Sequence, residues 1–294
     1  MSLEVAVQPV ILLGMHRSGT AMIARLLDEL GLFQGGELQE DHESVWFLDI
    51  NDLLLKRVNA AWDHPQPIVE FLRNPEAFDL TRRCLEDDLS SSRSRQFLGL
   101  KWSQPGRSLL TYDRPWGWKD PRTVFTLPLW LDLFPGAKLV YIIRNGVDVA
   151  SSLRVRETRE LERRRREFDS KPATGSRSRL ERAGFKGSAR CLTLSGGFSL
   201  WEEYVARAEE LLATVSNPKH VIRYETFLAD PAQPLAELAR FCGVESGEAA
   251  VREAIGRVGV NASRANAYAA DSEVRDFHAR VRISRWMTHY GYAE

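Results

Sequence analysis

The chain has 294 residues, 44% of them hydrophobic and 27% charged, enough for one large core or two modest domains of a soluble globular protein. Lys plus Arg and Asp plus Glu each number 40, so net charge gives no reason to expect nucleic acid or a membrane surface as partner, and local charge has to be read instead. Three scattered cysteines, Cys84, Cys191 and Cys242, suit neither a disulfide scaffold nor a zinc site and fit a reducing, cytoplasmic setting; no run of 18 apolar residues and no export signal is visible.

The dominant feature comes early. Val5 to Leu13 is predicted as a strand, with Val10 to Leu13 apolar enough to be buried under helices on both faces. It runs into Gly14-Met15-His16-Arg17-Ser18-Gly19-Thr20 and a helix from Ala21 to Leu30, ended by Gly31. Two glycines, a helix N-terminus and the donors Arg17, Ser18 and Thr20 make a phosphate cradle. It is not a Walker A loop, because Gly19 precedes Thr20 and the turn has no lysine. Glu37 to Glu43 is acidic, a composition that ordinarily marks solvated surface, and a second helix is expected from Ser44, with that serine as a cap and Glu43 just ahead of it.

Ala61 to Pro67 reads as a rigid aromatic loop, Pro75 to Leu89 as a helix, and Ser90 to Arg95 as an exposed Ser/Arg turn. Trp116-Gly117-Trp118-Lys119-Asp120-Pro121-Arg122 is the second dense segment. Lys119 suits a point charge and Arg122 a forked contact to an anion; the alternative is a buried ion pair of either one with Asp120. Trp62, Trp116 and Trp118 are candidates to stack on a saccharide or aromatic ring. A helix over Thr123 to Phe134 leads to Lys138 to Ile143, the clearest second strand, which delivers Arg144 before the Asn145-Gly146 turn and a helix from Val147.

Residues 154–190 hold 13 Arg and Lys against 6 Asp and Glu, with four consecutive arginines at Arg163 to Arg166 and a Pro/Gly/Ser break at Pro172 to Ser178. A lid over an anionic acceptor, a docking surface and a solvated helix are all compatible with that composition. Beyond it, Phe198 to Leu212 is an amphipathic helix, His220 to Tyr224 a strand ending at Glu225, and Pro234 to Phe241 a helix stopped at Gly243. Gly256 to Gly259 reads as flexible and basic, and Phe277 to Tyr290 as one closing helix. The alternation predicts a three-layer α/β, P-loop-like domain: a central parallel sheet flanked by helices, a single domain over 1–294 with a basic excursion at about 154–197.

In their order these segments resemble the sulfotransferases that use 3′-phosphoadenosine-5′-phosphosulfate, in particular the bacterial branch related to carbohydrate and tyrosyl-protein sulfotransferases. The resemblance runs from about Val10 to Gly243, with 154–197 poorly matched. It implies that Arg17, Ser18, Gly19 and Thr20 hold the 5′-phosphate and sulfuryl oxygens, and that Arg144 with Ser152, eight residues on, clamps the 3′-phosphate. It also implies that Glu43, followed by Asn51-Asp52-Leu53-Leu54, is the acceptor-activating base, and that Lys119 reaches the transferring group. Many cytosolic members carry lysine where Arg17 stands. Tyr224-Glu225 with Asp230-Pro231 matches a late structural signature.

The implied reaction is in-line sulfuryl transfer to a hydroxyl of a small-molecule or saccharide acceptor, leaving 3′,5′-bisphosphoadenosine. Cationic clamps stabilise the charge that develops, so Arg17 and Lys119 join Glu43 as the catalytic set. No metal is called for, and His16, His42 and His64 lack metal-ligand spacing. Two rivals stand beside this reading: a nucleotide-dependent phosphotransferase, against which the missing Walker lysine counts, and a non-catalytic binding protein of the same fold.

Overall fold

The computed structural model describes residues 3–101, 108–170 and 184–293. The Pro172–Ser178 break, with part of the 154–197 excursion, lies outside the described residues. Four parallel strands form the sheet: β1 (Val10–Leu13), β2 (Gly117–Lys119), β3 (Lys138–Ile143) and β4 (Lys219–Arg223), in spatial order β2-β1-β3-β4. β1 is shorter than the predicted Val5–Leu13. Pro9 has no N–H to give a ladder, so the strand begins at Val10, whose N–H donates to Trp116 O (2.9 Å). β1 and β3 are buried on both faces, which is why their sequences are apolar throughout rather than alternating.

Contacts divide the described chain into two compact units. The first, residues 1–144 and 204–265, contains the sheet. The glycine-rich turn leads into α1 (Thr20–Glu29), whose apolar face, Ile23, Leu26 and Leu27, is fully buried. α2 (Val45–Arg57) and α3 (Gln66–Arg73) follow, then α4 (Pro75–Ser90), capped by Asn74, which accepts from Glu76 N and Ala77 N (both 3.0 Å). The Ser/Arg patch after it enters a 3₁₀ helix over residues 92–98 rather than a turn: Ser90, Ser92 and Arg93 are exposed as expected, while Ser94 is buried. α5 (Thr123–Leu133) returns the chain to β3.

The second unit, residues 145–203 and 266–294, is helical. α6 (Gly146–Ser170) starts where Asn145 Oδ1 accepts from Val147 N (2.9 Å). Its Asp148 accepts from Ala267 N and Tyr268 N (3.2 and 2.7 Å), and Gly146 meets Trp201 so closely that a Cβ there would lie 2.4 Å from the indole. α7 (Leu194–Thr214) packs Gly197 against Ala150, and its Tyr204 marks the return to the first unit. On the exposed half of α6, Arg163 and Arg164 pair with Glu160 and Glu167 (2.7–3.3 Å), the one-turn spacing of a solvated helix face.

In the first unit β4 leads directly into α8 (Tyr224–Ala229), so Tyr224 and Glu225 open a helix rather than end a strand. α9 (Ala232–Cys242) and α10 (Glu248–Val258) join α1 over one face of the sheet, enclosing Val10, Leu12, Val140, Ile142 and Ile222. Gly256 sits inside α10, not in a flexible loop, and the helix ends at Gly259. The predicted closing helix is two helices in the second unit, α11 (Ser272–Val281) and α12 (Arg285–His289). Ser284 interrupts them by capping Met287 N, and Ile283 at the break is 82% exposed.

Candidate active site

β1 lies between β2 and β3, with Leu12 opposite both Lys119 and Val140, so all three strands release their next residues at one edge of the sheet. In an open parallel sheet this carboxyl edge, where the strand order reverses, is where ligands bind. Here it carries the glycine-rich turn, Lys119 and Arg144.

The turn is built to close tolerances. Gly19 adopts φ +94°, and a Cβ on it would stand 2.2 Å from Tyr224 Cδ2, so no other residue fits. Ser18 closes the turn on itself: its Oγ donates to Met15 O (2.6 Å), and its N–H donates to the same carbonyl (3.2 Å). Thr20 is buried at the first position of α1, while Arg17, in the left-handed region at φ +68°, is exposed. Arg144 donates through Nη1 to Arg17 O (3.1 Å) and through Nη2 to Arg264 O (2.9 Å), with its guanidinium 4.8 Å above the Tyr224 ring. Arg144 and Tyr224 therefore hold the turn from outside.

Lys119 and the 37–45 segment meet in a buried charge cluster. That segment folds back through Val45 N donating to Glu37 O (3.1 Å) and Gln39 N donating to Glu43 O (2.9 Å), which turns Glu43 inward while Glu40 and Asp41 stay exposed. Lys119 Nζ donates to Glu43 Oε1 at 3.0 Å, and Arg122 Nη1 lies 3.7 Å from Glu43 Oε2. Burial drives the Glu43 carboxyl above the ordinary glutamate range, and Lys119 opposes that rise without cancelling it. Arg122 also binds Asp120 Oδ1 through its N–H (3.0 Å) and Nη1 (2.9 Å). The ion-pair reading of this stretch holds for Arg122 with Asp120, while Lys119 pairs with Glu43 instead.

Ser44 takes the N-cap position of α2, but its hydroxyl makes no capping bond and has no hydrogen-bond partner among the described residues. His42 is turned to α1, with Nε2 3.2 Å from Asp28 Oδ2. Trp116 and Trp118 are not stacking platforms for a ligand: both are fully buried, and Phe47 stacks on Trp118 at 3.9 Å and 5°. Trp62 packs its ring against His16 (4.8 Å), and its carbonyl accepts from Tyr204 OH (2.8 Å). Ser152 is half-buried on α6 in the second unit. A cavity of about 660 Å³ opens one residue beyond Glu43, with Glu37, Ser44, Trp46, Asp49, Phe97 and Lys101 in its lining. Among the described residues no cluster of His, Cys, Asp or Glu has the makings of a metal site.

The profile of the sulfotransferase family matches residues 9–248. The chain belongs to this family. Among solved structures, the sulfotransferase domain from the curacin biosynthetic pathway is similar at 16% identity, covering 95% of this chain and 99% of its own, with a TM-score of 0.49. Sulfotransferase STF9 from Mycobacterium avium shows 13% identity over 94% of this chain and 76% of its own, TM-score 0.46. A sulfotransferase from Alicyclobacillus acidocaldarius shows 16% identity over 92% and 99%, TM-score 0.43. No curated protein matches the chain in sequence. Membership of the sulfotransferase family makes sulfuryl transfer the general activity of the chain.

Proposed function

We propose that the chain transfers the sulfuryl group of 3′-phosphoadenosine-5′-phosphosulfate to a hydroxyl of a small-molecule or saccharide acceptor, as one sulfotransferase-like domain over 1–294 of the bacterial branch named above. One observation carries the reading: a buried carboxylate, Glu43, hydrogen-bonded to a buried ammonium, Lys119, at the carboxyl edge of the sheet in a family member. The donor set suits a polyanion. Arg17, Lys119, Arg122 and Arg144 all belong to segments that leave the sheet at this edge, α1 adds its N-terminus, and the carboxylates among them already face cations.

When bound, the donor supplies an activated sulfuryl group with a phosphate leaving group. Glu43 accepts the proton of the acceptor hydroxyl, a role its raised pKa favours because a stronger base draws the proton further in the transition state. Lys119 moves its ammonium from Glu43 toward the developing negative charge, and Arg122 remains beside the carboxylate as the second cation. Arg17 and the first-turn N–H groups of α1 bind the 5′ side, with Ser18, Gly19 and Thr20 fixing the turn's shape. Arg144 and Ser152 are assigned to the 3′-phosphate on the sequence resemblance. The cavity beside Trp46 receives the acceptor, its mixed aromatic and polar lining suiting a hydroxylated molecule.

No described helix is long and apolar enough to cross a membrane, and the three cysteines are free; we place the protein in the cytoplasm. The test is a panel of hydroxyl acceptors incubated with labelled sulfuryl donor, beside calorimetry of 3′,5′-bisphosphoadenosine against ATP. Transfer of label with preference for the bisphosphate supports the reading; ATP preference with phosphate transfer makes the protein a phosphotransferase, and bisphosphate binding without turnover makes it a binding protein.

A further inference from the structure

The buried charge cluster is not held by its own ion pairs alone. Asn51, on α2 and fully buried, spends every hydrogen-bonding position of its carboxamide. Nδ2 donates to Asp120 Oδ2 (2.9 Å) and to Thr123 Oγ1 (3.0 Å), and Oδ1 accepts from Thr126 Oγ1 (2.8 Å) and Trp130 Nε1 (3.2 Å). Asp120 is then divided between two neighbours: Oδ2 goes to Asn51, and Oδ1 takes the Arg122 N–H and Nη1. The same Nη1 faces Glu43 at 3.7 Å. Two adjacent residues of the 117–122 segment thus grip α2 and its approach at points eight residues apart, Lys119 at Glu43 and Asp120 at Asn51.

We propose that Asn51 is a positioning residue for the transfer reaction: it fixes the Asp120 carboxylate and, through it, aims the Arg122 guanidinium at Glu43. The inference rests on the sulfotransferase reading above. An arginine side chain has several soft torsions, and a carboxylate held at one oxygen only can rotate about its own bond. With Asn51 on Oδ2, the plane of the Asp120 carboxylate is set, and the fork it offers Arg122 is set with it. A buried amide that merely tied α2 to α5 would need only its contacts with Thr123, Thr126 and Trp130; the Asp120 bond extends its reach to the charges.

The test inverts the polarity of that one bond. Asn51→Asp keeps the shape and the two accepted bonds but sets carboxyl against carboxyl, so the pair holds one proton at low pH and repels once it is lost. In this variant kcat should acquire an alkaline limb missing from wild type and fall at least about tenfold across it, the worth of a charged hydrogen bond, while bisphosphoadenosine affinity stays flat over the same pH range. Asp120→Asn, which faces donor with donor, should lose kcat at all pH values and stands in if Asn51→Asp does not fold. The exchange Asn51→Asp with Asp120→Asn restores donor to acceptor and should remove the limb. NMR of the Arg122 Nη–H protons, through which Nη1 donates to Asp120 Oδ1, reads the same positioning without turnover: a protected signal in wild type and in the exchange variant, lost in Asn51→Asp at high pH and in Asp120→Asn. An unchanged kcat profile in Asn51→Asp, a limb that persists in the exchange variant, or an Arg122 signal indifferent to all three would overturn the proposal. A wild-type protein that transfers no sulfuryl group refutes the sulfotransferase reading instead, and the NMR comparison alone then decides whether Asn51 aims Arg122.

Discussion

Replacing Glu43 by glutamine removes a base and one negative charge and leaves nearly everything else in place. Lys119 Nζ, 3.0 Å from Oε1, can still donate to the amide oxygen, so the bond survives in neutral form. A bond to a charged partner is worth about 1.5–3 kcal/mol and a neutral one about 0.5–1.5, so the charge-assisted part that is lost costs about 1–1.5 kcal/mol. Part of that returns, because burial already holds the native carboxyl above its usual range and the variant has no charge to bury. The fold should therefore persist, with Tm lower by at most roughly 2–6 °C at about 2–4 °C per kcal/mol for a chain of this size. The rate should fall by roughly 10²–10⁴-fold, the usual worth of general base catalysis, with bisphosphoadenosine affinity nearly unchanged. The pH profile gives the sign. Glu43 must be ionised to take the proton, so wild-type kcat should drop as pH falls through a value above the ordinary glutamate 4.5, and that limb should vanish in the variant. Single-turnover transfer of labelled sulfuryl group, with donor binding measured in parallel, separates rate from affinity. His42→Ala should cost far less, since that ring faces Asp28. Near wild-type turnover in Glu43→Gln, or a folded and donor-competent His42→Ala that is inactive, refutes the assignment.

Three further outcomes are expected. Lys119→Met should lower kcat more than it raises the apparent donor KM; the reverse pattern makes Lys119 an ordinary binding residue. Arg144→Ala should weaken bisphosphoadenosine more than an analogue without the 3′-phosphate, and calorimetry showing equal losses would reduce Arg144 to its bonds with the Arg17 and Arg264 carbonyls. Neutralising Arg163 to Arg166 should leave donor affinity intact and change acceptor KM and its salt dependence; acceptor kinetics that ignore ionic strength would make the run only the solvated face that its Glu160 and Glu167 pairs describe.

What the sequence showed of the molecule was local. The glycine turn, the α1 stripe and β3 were legible because turn chemistry and hydrophobic period act within a few residues. The burial of Glu43 was not, since Glu40 and Asp41 beside it are exposed and its partner lies 76 positions away. Asn51 was noticed for its spacing, while its role depends on partners 69 to 79 residues on, at Asp120, Thr123, Thr126 and Trp130. Trp116 and Trp118 misled because an indole in a loop and an indole in a core have the same composition signal. The break in the C-terminal helix did leave a mark, Ser284 in an N-cap position, which the apolar pattern around it outweighed.

β2 has only three residues, and their alternation carries unusual weight. Trp118 enters the aromatic core while its neighbour Lys119 reaches Glu43, so core and charge cluster are separated by a single peptide unit. Gly117, where a Cβ would lie 2.0 Å from Val10 O, pins the register from the other side. One residue inserted just ahead of this strand would set its own side chain against Val10 in the place of Gly117 and move the indole to the ammonium's position. The 111–117 approach should therefore accept changes of residue far more readily than changes of length, and lineages of this chain should keep their insertions elsewhere.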